Sequence, residues 1–303
     1  MEATDLAFAG IARQVELVRA GEVSARELTE LYLARIARLD PLPQALVFTG
    51  DLADKAEPEA YARLRSLVEP IAAEMGAEVV WVMGNHDERA AYARGLYGAL
   101  PDHGASDATQ DRVHEVDGLR IVSLDTSVPG YHHGELSDAQ LAWLADVLAT
   151  PAEHGTLHAL HHPPIPVPMM PAAEVIELLE QHRLAAVLEG TDVRCILGGH
   201  FHYSTYSTFA GIPVSVASAT CYTGDPAPLE RFVSGVDGHQ AMTMVHLYDD
   251  RVVHTVVPVD EAPEVSGFPS DVRAQVEAMS PEERRELLSR KDSPFYTGGD
   301  AQA

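Results

Sequence analysis

Basic residues and long apolar runs are both scarce in this sequence. It contains 21 lysines and arginines against 46 aspartates and glutamates, which gives a formal net charge of −25 at pH 7. A surface this acidic does not attract a phosphate backbone, so long nucleic acid is not an expected partner. No run of about 18 apolar residues occurs, and we therefore expect no transmembrane segment.

Cysteine is nearly absent, and the N-terminus lacks the features of a secretory leader. Cys195 and Cys221 are the two cysteines, and both lie within apolar, strand-like stretches. This usage favours buried thiols in a reducing compartment over a disulfide framework. The first ten residues, MEATDLAFAG, have neither the basic start nor the apolar run of a signal peptide. We therefore expect a cytoplasmic protein.

From residue 45 onward the sequence alternates between apolar runs and helical stretches. This alternation predicts an α/β fold in which helices cover both faces of a sheet. The apolar runs are ALVFTG, EVVWVMG, LRIVSLD, TLHALHH and VRCILGG. Four later runs, within residues 202–260, predict antiparallel strands of a second sheet. The stretch SPEERRELLSRK, residues 280–291, predicts one helix, and TGGDAQA, residues 297–303, predicts a loose tail.

Four of these apolar runs end in residue types that bind metals. The residues concerned are Asp51, Asn85, His86, His161, His162, His200 and His202. In an open α/β sheet, sites form beyond the carboxyl ends of the strands, so these turns can converge on one crevice. A carboxylate, an amide oxygen and several imidazoles suit a first-row transition metal better than calcium or magnesium. Glycines before the ligands allow tight turns.

The ordered set formed by FTGD, GNHD, His161 and GHFH resembles the calcineurin-like metallophosphoesterase family. It is most similar to the mycobacterial-type class III cyclic-nucleotide phosphodiesterases, over about residues 43–260. The resemblance implies a four-layer α/β sandwich of two sheets flanked by helices. It also implies two divalent metal ions (iron, manganese or zinc), and hydrolysis of 3′,5′-cyclic nucleotides such as cyclic AMP by a metal-bound hydroxide. It further implies that the chain can pair as a homodimer.

The resemblance assigns a role to each matching position. Asp51 would bridge both metals, and His86 would be the catalytic residue that protonates the departing ribose oxygen. The remaining metal ligands would be Asn85, His161, His200 and His202. The predicted substrate-binding residues are Asn85, His86, His202 and His133, the last from a loop in which Tyr131 and His132 are further candidates. Asp87 either orients His86 and its loop or serves as a structural cap.

One motif of the family is absent from the sequence. No Asp-x-His precedes Asp51, and the first histidine in the chain is His86. In its place, about residues 15–41 resemble the helical hairpin of the amidase signature family, without that family's catalytic residues. We therefore predict three domains: 1–42, a foreign hairpin; 43–260, the metallophosphoesterase domain; and 261–303, a polar extension.

The absent motif has a chemical consequence. Because no motif-bearing strand precedes Asp51, the second metal would keep only Asp51 and His202, and activity would be reduced. The alternative is a catalytically disabled protein that binds a metal or a nucleotide.

Overall fold

The computed structural model describes most of the chain from residue 44 onward. The described residues are 17, 19–20, 22, 44–98, 108–169, 171–227, 231, 233–259 and 270–292. The chain divides into two compact units, residues 1–261 and 262–303. Leu17, Arg19 and Ala20 are helical. Apart from these three residues and residue 22, the predicted hairpin lies outside the described residues, so the hairpin and the missing first strand stay predictions.

The first unit contains four described α-helices and twelve strands. The helices are α1 (Pro58–Met75), α2 (Arg89–Tyr97), α3 (Asp138–Leu148) and α4 (Gln181–Leu188), with a 3₁₀ turn at Pro171–Ile176. The strands are β1 (Ala45–Phe48), β2 (Glu78–Trp81), β3 (Arg112–Val116), β4 (Leu119–Leu124), β5 (Thr156–Leu160), β6 (Val193–Gly198), β7 (Thr205–Phe209), β8 (Ile212–Val216), β9 (Thr223–Gly224), β10 (Gly235–Val236), β11 (Ala241–Tyr248) and β12 (Arg251–Pro258).

Local sequence explains where the two longest of these helices begin or end. Pro58 at the first turn of α1 has the backbone angle that a helix start requires, and Gly76 ends α1 in a left-handed conformation, with φ of 70°. Ser137 and Gln140 form a capping box at the start of α3. Both helices lie between the predicted strands, as the alternation of apolar runs and helical stretches indicates.

The largest sheet has six strands in the order β3-β4-β5-β6-β8-β7. Strands β4, β5, β6 and β8 run parallel, and the edge strands β3 and β7 pair antiparallel with their neighbours. The prediction that β7 and β8 belong to a second sheet was wrong, because β8 pairs with β6 in parallel and carries β7 with it. The other two late runs do form a separate antiparallel pair, β11 with β12.

Side chains along each strand alternate between the two faces of the sheet, so both faces contribute to the core. The buried apolar residues form three clusters, which lie between four layers of secondary structure. One face of the six-stranded sheet, represented by Val122 and Ile196, packs against α3 and α4. Its other face, represented by Ile121 and Leu197, packs against the strand pairs β1–β2 and β11–β12. The far side of those pairs, with Trp81 among its residues, packs against α1 and α2. The predicted four-layer sandwich is therefore confirmed.

The second unit differs from its prediction in its helix count. It contains α5 (Ser270–Ala278) and α6 (Pro281–Leu288), whereas one helix was predicted. A capping box between Ser280 and Glu283 starts α6, at the position that the sequence indicates. The predicted loose tail, residues 297–303, lies outside the described residues.

The two cysteines differ in their burial. Cys195 is a buried free thiol on β6, as predicted. Cys221 is exposed, so its predicted burial was wrong: it lies in the turn before β9 rather than within a strand. None of the helices in the described ranges is long and apolar enough to cross a membrane.

Candidate metal centre

The predicted ligand residues follow the carboxyl ends of four strands. Asp51 comes after β1, Asn85 and His86 after β2, His161 directly after β5, and His200 and His202 after β6. Strands β1 and β2 are parallel to each other, as are β5 and β6. Parallel strands place their carboxyl ends at a common edge, so turns distant in sequence can meet there.

His161 lies at the centre of this convergence. Its Nδ1 donates a hydrogen bond to the carbonyl of Thr49 at 2.7 Å, so its Nε2 carries the lone pair. That Nε2 lies 3.0 Å from Oδ1 of Asn85 and 3.3 Å from Oδ2 of Asp51. The ring is 1% exposed, which makes every interaction at Nε2 strong.

His200 adds a fourth atom to the group around Nε2 of His161. Its own Nε2 donates to the carbonyl of Ile176 at 3.0 Å, which leaves Nδ1 without a proton. This Nδ1 lies 3.2 Å from Nε2 of His161. One carboxylate oxygen, one amide oxygen and one imidazole lone pair therefore lie within 3.3 Å of the lone pair on Nε2 of His161. Only a cation or a proton placed among them relieves the repulsion, and the donor set suits a first-row divalent metal.

Because these side chains are buried close together, their pKa values are shifted by burial and by one another. Burial alone would raise the pKa of Asp51, but the charge and hydrogen bond of His161 and the backbone N–H of His86 hold it below its usual range. Burial opposes protonation of His161, yet the charge of Asp51 raises the pKa of His161. Burial, reinforced by His161, lowers the pKa of His200 to about 3. A proton on His161 can thus take the place that a metal cation would fill.

His202 is held beside this cluster by its own backbone contact. Its Nδ1 donates to the carbonyl of Tyr222 at 3.2 Å, and the two rings lie 4.3 Å apart. A histidine that donates one ring N–H to a carbonyl presents its other nitrogen as a ligand in a fixed direction. Burial lowers the pKa of His202, which favours the neutral ring that metals bind.

His86 contacts Asp51 through its backbone and Asp54 through its ring. Its backbone N–H donates to Oδ1 of Asp51 at 2.9 Å. Its Nδ1 lies 3.1 Å from the carbonyl oxygen of Asp54 and 3.2 Å from that residue's carboxylate. Because both partners are acceptors, Nδ1 carries the proton and Nε2 stays available for chemistry. The side chain is 38% exposed, so a substrate can reach it.

Asp87 fastens the two ligand loops together. Its carboxylate accepts hydrogen bonds from the backbone N–H groups of Leu52, Ala53 and Gly84, and from the hydroxyl of Tyr61. Although burial raises the pKa of Asp87, these four donors stabilise the charged form. Of the two roles considered for Asp87, these contacts support loop positioning.

Glycine is required at two places where the loops approach most closely. A Cβ atom on Gly84 would lie 2.2 Å from the backbone nitrogen of Asp51, and one on Gly50 would lie 2.3 Å from Nδ1 of His161. Neither neighbour can move without displacing a ligand. The tight turns predicted from these glycines are therefore tight because of the neighbouring loop as well as their own backbone.

Tyr131, His132 and His133, in the loop between β4 and α3, are the predicted candidates for substrate contact. Of these three, His132 lies against the cluster. Its Nδ1 lies 2.9 Å from Nδ2 of Asn85, and its ring lies 5.4 Å from that of His86. His133 instead pairs with Glu135 at 3.1 Å, and Tyr131 is 62% exposed. The substrate contact predicted for His133 is untested and stays a prediction.

His162 is close to the cluster but is fully occupied by other partners. Ligand atoms of His161, His162 and His200 lie within 4.8 Å of one another. However, Nε2 of His162 donates to the carbonyl of His132 at 3.1 Å, and its Nδ1 accepts from the hydroxyl of Thr126 at 2.8 Å. With both nitrogens engaged, His162 has no lone pair to offer a metal.

Comparison with known proteins finds relatives over most of the chain. Residues 22–204 match the family model described as calcineurin-like phosphoesterase. The chain is 53% identical over 255 residues to a cAMP/cGMP dual specificity phosphodiesterase of Mycobacterium tuberculosis, covering 84% of this chain and 79% of that protein. It is 52% identical to a probable cyclic nucleotide phosphodiesterase of Rhodococcus erythropolis, covering 81% and 79%.

A solved structure supports the fold independently. A dimetal phosphatase from Danio rerio superposes with a TM-score of 0.54 at 18% identity, covering 77% of this chain and 86% of that one. At this level of identity the likeness concerns the arrangement of strands and helices.

Proposed function

Because the chain belongs to the calcineurin-like phosphoesterase family, whose members are metal-dependent phosphoesterases, we propose that it hydrolyses 3′,5′-cyclic nucleotides. Two relatives at 53% and 52% identity are named as phosphodiesterases of such substrates, and each alignment covers most of both chains. The observation that carries the proposal is that acceptor atoms of Asp51, Asn85 and His200 all lie within 3.3 Å of Nε2 of His161. A small anionic substrate is compatible with the acidic chain only where a cation offsets its charge.

The proposed metal ligands fall into two groups. Asp51, Asn85, His161 and His200 would hold one divalent ion, and Asp51 with His202 would contribute to a second. Nitrogen and oxygen donors of this kind suit iron, manganese or zinc. Such an ion supplies Lewis acidity to phosphoryl oxygens and lowers the pKa of water at its open position. That the second ion is weakly held stays a prediction.

His86 is the proposed general acid. Its Nδ1–H is directed at Asp54, so the proton to be transferred would be carried on Nε2, the atom left free to approach a leaving oxygen. Its backbone bond to Asp51 fixes the distance between the acid and the metal ligands. We propose that His86 and His202 contact the phosphate. Asn85 is a weaker candidate for that contact, since its amide nitrogen already donates to His132.

The test combines hydrolysis of cyclic AMP with metal analysis. We expect manganese-dependent release of AMP that a chelator abolishes. His86→Ala should lower kcat by about 10²–10⁴-fold while metal content stays unchanged, because His86 moves a proton and binds no ion. Asp51→Asn should lower metal content and activity together. His182→Ala, an exposed histidine on α4, is the matched control and should behave as the wild type.

Two results would contradict the proposal in different ways. Hydrolysis of bis(p-nitrophenyl) phosphate without hydrolysis of any 3′,5′-cyclic nucleotide would leave a phosphodiesterase but overturn the substrate assignment. A folded, metal-loaded protein that hydrolyses neither compound would favour the disabled metal- or nucleotide-binding protein instead. Pairing as a homodimer and cytoplasmic location stay predictions from the sequence.

A further inference from the structure

We propose that His132 is a positioning residue that fixes the side-chain amide of Asn85 with its oxygen directed at the metal ligands. The inference rests on the proposed function only in that it takes Asn85 as a ligand. Neither the ordered motif set nor the strand-end pattern includes His132, which comes from the loop between β4 and α3. The geometry that carries it is a chain of three hydrogen bonds, Thr126 to His162, His162 to His132, and Asn85 to His132.

The oxygen and the nitrogen of the Asn85 side-chain amide face different histidines. Its oxygen lies 3.0 Å from Nε2 of His161, and its nitrogen lies 2.9 Å from Nδ1 of His132. An amide can rotate by half a turn at little cost in shape, and it would then present N–H groups to the ion. An unprotonated Nδ1 on His132 accepts only from the amide nitrogen, so this contact selects the orientation in which the oxygen faces His161.

His132 is held in place through its backbone, since its ring is exposed. Its backbone carbonyl accepts from Nε2 of His162 at 3.1 Å. His162 is 0% exposed and is fixed at its other nitrogen by Thr126 at 2.8 Å. Gly134, two residues after His132, packs so closely on His162 that a Cβ there would lie 2.7 Å from the ring.

His162 is a buried histidine next to a proposed ligand, but it holds the loop of His132 in place. His162 follows His161 directly, yet neither of its nitrogens is left to bind an ion. Its hydrogen bonds instead connect the buried Thr126, two residues after β4, to the backbone of His132. The loop is further tied by the backbone N–H of Gly134, which donates to the carbonyl of Glu177 at 3.0 Å. The position of His132 is therefore set by the core, and through it so is that of Asn85.

Manganese affinity, measured by titration calorimetry on the full chain, provides the test. His132→Phe keeps a ring but removes the acceptor, and we expect affinity to fall by about 10–100-fold, the usual effect of losing a partner of a metal ligand. His132→Asn places an oxygen close to the position of Nδ1, so it should restore most of the affinity. His182→Phe, at an exposed histidine on α4, is the matched control, and its affinity should equal that of the wild type.

A double-mutant cycle with Asn85→Ala separates positioning from a general effect on the loop. If His132 acts through Asn85, adding His132→Phe to Asn85→Ala should change affinity no further. An equal loss in both backgrounds, or unchanged affinity in His132→Phe alone, would overturn the inference. Unchanged affinity in Asn85→Ala alone would instead remove Asn85 from the proposed metal site. Circular dichroism of each variant shows that it is folded.

Discussion

Replacing His158 with leucine should remove one component of the loss of stability in acid. His158 lies on β5, is 0% exposed, and has no hydrogen-bond partner for either ring nitrogen among the described residues. Burial lowers the pKa of His158 from 6.5 to about 4. The folded state therefore keeps the ring neutral, whereas the unfolded chain accepts a proton at about pH 6.5.

The sign and size of the effect follow from this difference. Between pH 6.5 and 4 the unfolded state binds more protons, so the free energy of unfolding falls as pH falls through that window. The shift of about 2.5 pKa units corresponds to about 3 kcal/mol in total, and about 2.5 kcal/mol of it should appear between about pH 7.5 and about pH 4.5. His158→Leu should lack this component, and it should unfold at higher urea concentration than the wild type at the lower pH.

Urea unfolding followed by the fluorescence of Trp81 and Trp143 measures the difference. A chelator is added throughout, so that loss of metal at low pH does not contribute. His154→Gln, at an exposed position before β5, is the control and should keep the wild-type pH dependence. The reasoning would be refuted if His158→Leu and the wild type lost stability in parallel over this range.

Two further predictions concern the ligand loops. Gly84→Ala should abolish manganese binding, because its Cβ would lie 2.2 Å from both the backbone nitrogen and Oδ1 of Asp51; calorimetry showing wild-type affinity would contradict this. Asp87→Asn should lower the free energy of unfolding by about 3–5 kcal/mol, since it removes the charge that four donors share and turns an N–H group towards them. Urea unfolding at about pH 7.5 checks it, and a loss under about 1 kcal/mol would show that the loops are held by other contacts.

The sequence was sufficient to predict the location of the candidate site. Asp51, Asn85, His161 and His200 each follow an apolar run, and strand ends of a parallel sheet meet at one edge. This inference needs only the local pattern and a general property of the fold. The contacts around His161 agree with it to within hydrogen-bond distances.

The partners of those residues could not be predicted in the same way. Thr126 and His162 are joined by a hydrogen bond between residues 36 positions apart, and no local pattern indicates it. Adjacent histidines look equivalent in the sequence, although one faces the ligands and the other faces the loop. The sheet to which β8 belongs posed a similar problem, because short apolar runs do not specify their pairing partner.

The converging side chains come from distant parts of the chain and from both sheet layers. His161 contacts Asn85 across 76 residues and Thr49 across 112. A cation bound to all four ligands would act as a cross-link that closes these long loops and joins the two layers at one end. At a free concentration of about 100 times its dissociation constant, it would add about 2.7 kcal/mol to the free energy of unfolding. Removing the ion would then weaken the sandwich itself, so a chelator would act on this protein as a denaturant as well as an inhibitor.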